Sequence, residues 1–209
     1  MTKNPFITDY YTEEDLKSFG VKEVGKNVKV AKNCTIVGIT NLSIGSNVII
    51  DEHCSFIITE QGFLNIGSYV HIGSFSHLLA TDGIEIQDFS GLSQGVKIYS
   101  KTDDYSGNTL TNPTTPNKYK NYKKGKVLIQ EHVIVGAGSV ILPNVTIEEG
   151  VAIGALAVVS TNLKSWTIYY GNPIKKLTNR SKNLLTQKID LLTKNQNVPD
   201  YDYNNRNKR

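Results

Sequence analysis

A chain of 209 residues is long enough for one main domain with appendages and for a buried core. Its 39% hydrophobic content, 17 Gly and 11 Tyr suit a β-rich protein with many turns better than a helical bundle, and a net charge of +4, partly from the terminal "NNRNKR", does not indicate nucleic-acid binding. Two cysteines make neither a disulfide framework nor a zinc site, and the lack of any apolar run of signal-peptide or membrane-spanning length points to a soluble, cytoplasmic protein.

Residues 1–23 read as an N-terminal cap segment. Within it "TEEDLKSF", residues 12–19, starts as a helix at Thr12, with Glu13 and Glu14 favourable near its N-terminus, and is placed to cover the open end of whatever follows. From Val24 onward an aliphatic or aromatic residue returns every sixth position: Val24, Val30, Ile36; Ile44, Ile50, Phe56; Ile66, Ile72, Leu78; Ile86, Leu92, Ile98; Ile129, Val135, Ile141; Ile147, Ile153, Val159. A helix would scatter these over several faces, whereas a strand's alternation returns every sixth side chain to one face. Glycine follows the repeat residue at Gly25, Gly45, Gly67, Gly73, Gly136 and Gly154, where the backbone turns without Cβ hindrance. Three short strands and three turns make a coil of about 18 residues that cannot bury its corners alone, so the coils must stack into a β-solenoid. Cys34 and Cys54 occupy a position where small residues recur as Ser76, Ser90, Ser139 and Ala157, and read as packed thiols.

The segment from Tyr99 to Lys126 has no repeat. A 28-residue excursion of this kind inside a compact domain is either functional or disordered, and its Tyr and Asp content argues against simple disorder. The solenoid ends near residue 178. Over 179–209, "SKNLLTQKIDLLTKN" places Leu184, Leu185, Ile189 and Leu192 on one face of a short packing helix, and residues 196–209 read as a frayed polar tail.

Over residues 24 to about 178, and most of all over "VIVGAGSVILPNVTIEEGVAIGALAVVSTNLKSWTIYYGNPIKKL", the chain resembles the hexapeptide-repeat acyltransferases. That resemblance implies an all-β fold, a left-handed parallel β-helix with a long loop insertion and a short C-terminal helix. It also implies transfer of an acyl group, most often acetyl from acetyl-coenzyme A, to a hydroxyl or amine, by homotrimers with active sites between neighbouring helices. The family pattern puts the pantetheine arm along backbone groups of Ala137 and Ala155, then beside Ser160 and Thr161. The basic position after "GNP", a partner for a coenzyme phosphate, falls on Lys175. A second basic position falls on Thr178, which leaves Lys176 or Arg180 to substitute, or the contact absent.

The family's general base is a histidine, suited to the role by a pKa near neutrality. Of the four histidines, His53 and His132 sit in turns away from the long loop, and His71 reads as an exposed strand residue or a substrate contact. His77 precedes Leu78 at a third corner, one coil before Ile98, from which the loop departs. "IGSFSHL" resembles a histidine-bearing segment of bacterial nucleotide-sugar N-acetyltransferases. The stretch "FSHLLATDGIEIQDFSGLSQGVKIYSKTDDYSG" resembles capsule and lipopolysaccharide O-acetyltransferases. In maltose and galactoside acetyltransferases the catalytic histidine falls where this chain has Asp103. The reading is therefore His77 as base, with Asp103 or Asp104 orienting it or holding sugar hydroxyls, against the alternative that the aspartates cap the loop. Tyr99, Tyr105, Tyr119 and Tyr122 either form a sugar-stacking surface or pack the loop on a neighbouring subunit; Trp166 reads as a packing residue near the coenzyme. No metal is expected: zinc hydratases on this scaffold have two histidines five apart in a coil, and His71 and His77 are six apart with no third nearby. The expected function is acetyl-coenzyme A-dependent O-acetylation of a sugar in capsule or O-antigen synthesis. Nucleotide-sugar N-acetylation is the alternative within the enzyme reading, and a non-catalytic binding or assembly module the alternative outside it.

Overall fold

The computed structural model describes residues 8–194, so the polar tail expected from residue 196 lies outside the described residues. The repeat builds three parallel sheets. The first face stacks Glu23–Val24, Leu42–Ile44, Leu64–Ile66, Ile84–Ile86, Val127–Ile129 and Thr146–Ile147. The second stacks Val28–Ala31, Val48–Ile50, His71–Ile72, Gly91–Leu92, Ile134–Val135, Ala152–Ile153 and Thr167–Tyr170. Thr35–Val37, Ser55–Ile58, His77–Ala80, Lys97–Tyr99, Val140–Ile141 and Val158–Val159 make the third.

Each corner residue pairs in register with its counterpart one coil away. Val24, Ile44, Ile66, Ile86, Ile129 and Ile147 form one column. Val30, Ile50, Ile72, Leu92, Val135 and Ile153 form the next, and Ile36, Phe56, Leu78, Ile98, Ile141 and Val159 the last. From the second coil onward these side chains are at most 3% exposed, each contributing about 1.5–3 kcal/mol by burial. Val24 and Ile36 are only partly buried, because the end coil has a neighbour on one side alone. Cys54 is buried and Cys34 half-buried. Their thiols donate to the Asp51 and Gly73 carbonyls, Cys34 to the former and Cys54 to the latter. Contact with Cys34, then burial, holds the Cys54 thiol above its ordinary pKa.

The glycines after the corner residues serve a different purpose from free turning. A Cβ on Gly25 would lie 2.5 Å from the Gly45 carbonyl carbon, and one on Gly45 2.6 Å from that of Gly67, so successive turns touch backbone to backbone. Seven of the left-handed residues form a separate column at the corner between the first and second faces: Asn27, Asn47, Tyr69, Phe89, His132, Gly150 and Trp166. Their side chains stack along it. The Asn27 amide donates to Asn47 at 2.9 Å; the Tyr69 and Phe89 rings lie 4.6 Å apart and 6° from parallel, and Phe89 and His132 5.3 Å apart. Trp166 covers Gly150, where a Cβ would meet its ring at 2.5 Å.

Both ends of the second sheet carry an antiparallel strand, which covers the edge of the last solenoid strand there. Tyr10–Tyr11 pairs with Val30–Ala31, and Lys175–Asn179 returns along Thr167–Tyr170. Helix α1, Glu13–Ser18, covers the N-terminal end with Leu16, 3% exposed, and starts at Thr12 in a capping box with Asp15. Helix α2, Leu184–Thr193, does not bury the expected stripe: Ile189 and Leu192 are 62% and 47% exposed. It is anchored through Lys188, which pairs with Glu131 and sits 4.8 Å above the Phe89 ring. Among the described residues no helix is long and apolar enough to cross a membrane.

Candidate active site

The third face carries apolar residues outward as well as inward. Leu79, Tyr99, Val140 and Leu142 form the floor of a cleft of about 660 Å³, and the irregular excursion forms its walls. The excursion is ordered as a hairpin, Lys101–Asp103 antiparallel to Tyr122–Lys124, with Leu110 bridging Lys120 further out. Ser100 ties its root to the coil, its hydroxyl donating to the Leu79 carbonyl at 2.9 Å and accepting from the Asp82 N–H at 2.9 Å. Lys124 pairs with Asp82 and Lys126 with Glu85 at the same root.

Of the residues singled out in the sequence, Tyr99, Asp103 and Tyr105 line this cleft, as does Tyr122. Asp103 Oδ2 accepts the Asn112 N–H at 3.2 Å, so one face of the carboxylate is held; among the described residues it is the only acid on the cleft wall. Asp104 is consumed within the loop: it accepts the Ser106 N–H and hydroxyl at 2.9 and 2.8 Å and the Thr109 hydroxyl at 3.2 Å. Those bonds, the Ser106 N–H foremost, hold its carboxyl below the ordinary range. Tyr119 is half-exposed outside the cleft, with Lys118 4.8 Å from its ring.

His77 begins its strand on the third face but does not line the cleft. Its ring lies 5.7 Å from that of Tyr99, which does. Burial first, and the Lys97 charge second, push the imidazole below its ordinary pKa, so it is neutral at pH 7. His71 is on the second face, where Nε2 meets the buried Asp51 carboxylate at 2.9 Å, away from the cleft. Because His71 and His77 lie on different faces they do not converge on a common point.

The residues matched to coenzyme binding lie together on the last coils. Ala137 and Ala155 stack at the corner between the second and third faces, where the Leu156 N–H donates to the Ala137 carbonyl at 2.9 Å. Among the described residues no hydrogen-bond partner occupies the Ala137 or Ala155 N–H. This leaves two donors on adjacent coils open to an extended amide-bearing arm. Ser160, Thr161 and Lys175 are exposed just beyond. Arg180 is not available as a second basic group. Its guanidinium donates to the carbonyls of His132, Gly150 and Val151 at 2.7, 3.1 and 3.3 Å, clamping the opposite corner.

Sequence reasoning passed over the cationic side of the cleft. Lys101 Nζ lies 3.4 Å from the centroid of the Tyr122 ring and Lys120 Nζ 5.6 Å from it, and both line the cleft. The Lys–Thr–Asp alternation of a strand, once the loop is known to be a hairpin, is the signal that would have found Lys101.

The family description "Bacterial transferase hexapeptide (six repeats)" matches residues 126–161. Over 176 residues, 84% of this chain and 91% of the relative, the sequence is 43% identical to a dTDP-4-amino-4,6-dideoxy-D-glucose acyltransferase of Escherichia coli. The chain belongs to the hexapeptide-repeat acyltransferases. Among solved structures, AntD, an N-acyltransferase from Bacillus cereus in complex with dTDP and 3-hydroxybutyryl-CoA, is 41% identical with a TM-score of 0.86, covering 91% of this chain and 100% of that one. A variant of AntD holding dTDP-4-amino-4,6-dideoxyglucose and coenzyme A superimposes equally well, with a TM-score of 0.86 over 90% of this chain and 99% of that one. A maltose O-acetyltransferase from Clostridium difficile, 24% identical with a TM-score of 0.54, shares the fold alone. These likenesses correct the expected acceptor. O-acetylation of a polysaccharide hydroxyl does not stand, because the relatives that match nearly end to end act on amino sugars carried by a nucleotide. The "FSHLLATDG" stretch misled because base and thioester are common to both reactions, and the choice of nucleophile lies with the acceptor.

Proposed function

We propose that the protein transfers an acyl group from an acyl-coenzyme A, acetyl-coenzyme A or a short-chain homologue, to the amino group of a dTDP-linked 4-amino sugar. The observation that carries this reading is the cleft beneath the 99–126 excursion, with one carboxylate, Asp103, among apolar and tyrosine walls, in a chain more than 40% identical to dTDP-amino-sugar acyltransferases. An amine presented there as an ammonium ion is attracted to Asp103, which takes its proton. The free amine attacks the thioester carbonyl, the C–N bond forms as the C–S bond breaks, and the second proton shed by the attacking nitrogen passes to the departing thiolate, so that the coenzyme leaves as its thiol. His77 acts one layer behind as a positioning residue, fixing Tyr99 at the cleft floor. Ala137 and Ala155 hold the pantetheine arm by their open N–H groups, with Ser160 and Thr161 beside it and Lys175 at a coenzyme phosphate.

The site is completed by a homotrimer. Val37, Phe75 and Leu156, 51%, 64% and 75% exposed on the third face and its corner, are apolar side chains suited to burial against a second copy. The reaction belongs in the cytoplasm, before the sugar is built into a surface polysaccharide. The test is acyl-coenzyme A consumption with dTDP-4-amino-4,6-dideoxyglucose beside maltose and galactosides, with sedimentation for the trimer. Turnover confined to the nucleotide amino sugar is expected. Acylation of the hydroxyl sugars with none of the amine would overturn the proposal.

A further inference from the structure

The two lysines in the cleft have no assigned purpose, and their setting is unusual for lysines that only solubilise a loop. The excursion and its root carry Lys97, Lys101, Lys118, Lys120, Lys123, Lys124 and Lys126. Lys124 and Lys126 are neutralised by Asp82 and Glu85 outside the cleft. Lys101 and Lys120 instead both approach one ring, Tyr122, at 3.4 and 5.6 Å from its centroid, with no carboxylate within ion-pairing distance among the described residues; Lys120 also donates to the Asn112 carbonyl at 3.0 Å. Two ammonium groups beside one another repel, and the electron-rich ring face offsets only part of that cost. Tyr122 is itself fixed by its hydroxyl, which donates to Asn117 at 3.2 Å. The arrangement is a pre-set pair of cations on a rigid platform, and a doubly charged anion is the ligand that relieves it.

Lys101 and Asp103 stand two residues apart on one strand, so their side chains leave the same face with Cα atoms separated by about 6–7 Å. A carboxylate and two ammonium groups on the wall of one cleft can therefore meet the amine and the phosphates of a single nucleotide amino sugar.

We propose that Lys101 and Lys120 form the diphosphate end of the acceptor site, on the same cleft wall as Asp103. The inference rests on the function proposed above, but its test does not need turnover. Coenzyme A also carries a diphosphate, so both ligands are titrated. Lys101→Met and Lys120→Met keep the aliphatic stems and remove the charges. By calorimetry each is expected to weaken dTDP binding about tenfold, the pair about a hundredfold, while coenzyme A binding stays within twofold of wild type. Thymidine, which lacks the phosphates, is expected to bind wild type and variants alike. In the acylation assay the variants are expected to raise KM for the dTDP-amino sugar. Unaltered dTDP affinity in the double variant, or a loss seen for coenzyme A instead, would overturn the assignment. A wild type that binds dTDP through these lysines yet acylates no amine would sink the proposed reaction while leaving the diphosphate site standing.

Discussion

Replacing Asp103 by Asn is the sharpest test of the site, because it removes a charge and very little else. The Asn112 N–H now held by Asp103 Oδ2 at 3.2 Å can be accepted equally by an amide oxygen, so the hairpin and the cleft keep their shape. What is lost is the group that takes the ammonium proton. General-base catalysis contributes about 10²–10⁴ in rate, or about 2.7–5.5 kcal/mol of barrier. The apolar floor of Leu79, Val140 and Leu142 keeps the local dielectric low and places the expected loss in the upper part of that range. The assay is thiol release from acetyl-coenzyme A with dTDP-4-amino-4,6-dideoxyglucose, followed from neutral to alkaline pH. A primary aliphatic amine sheds its own proton as pH rises, so the deficit of D103N is expected to shrink on the alkaline side. His77→Gln, acting only through Tyr99, is expected to lose about tenfold or less. If D103N kept turnover within threefold of wild type while His77→Gln lost a hundredfold, the assignment of the base to Asp103 would be refuted and the imidazole would take the role.

Three further outcomes follow from the same geometry. Burial, then the Lys188 charge, lowers the His132 pKa, and its Nε2 has no hydrogen-bond partner. Below about pH 6.5 the unfolded chain binds protons that the folded chain refuses, so stability falls on acidification towards the folded pKa. In urea melts at pH 7.5 and 5.5, His132→Phe, which suits a column already holding Tyr69 and Phe89 at positive φ, should lose less stability than wild type; an identical loss would count against this origin. Gly45→Ala forces a Cβ to within 2.6 Å of the Gly67 backbone and should cost about 1–3 kcal/mol in the same melts, the scale of overpacking. Lys175→Ala should weaken coenzyme A about two- to fivefold, the scale of one exposed ion pair, without altering dTDP affinity; equal weakening of both would place Lys175 elsewhere.

The solenoid was legible because one physical requirement, an inward corner at every sixth residue, repeats often enough to fix the register of each sheet from Val24 to Val159. The stacked corner of Tyr69, Phe89, His132 and Trp166 was hidden, since the long excursion places Phe89 and His132 43 positions apart and breaks any visible period. Likewise the closing strands Thr167–Tyr170 and Lys175–Asn179 carry no hexad. Arg180 looked like a free cation by its spacing from "GNP", and only coordinates reveal three carbonyls around it. At the site, proximity to the root of the excursion singled out His77, but the excursion folds back as a hairpin and brings Asp103 and Lys101 over the floor instead. The nucleophile of the acceptor left no mark on the residues that the repeat could reveal.

The excursion leaves the stack after Ile98 and rejoins it with Ile129 paired to Ile86 and Ile141 to Ile98, as though nothing had been inserted. Its root side chains bond to Leu79, Asp82 and Glu85, while the open amides of Ala137 and Ala155 belong to uninterrupted repeats. On the function proposed above, acceptor choice can thus drift, lengthen or be exchanged by grafting a foreign segment at this junction, with the coils that would hold the donor carried through unaltered.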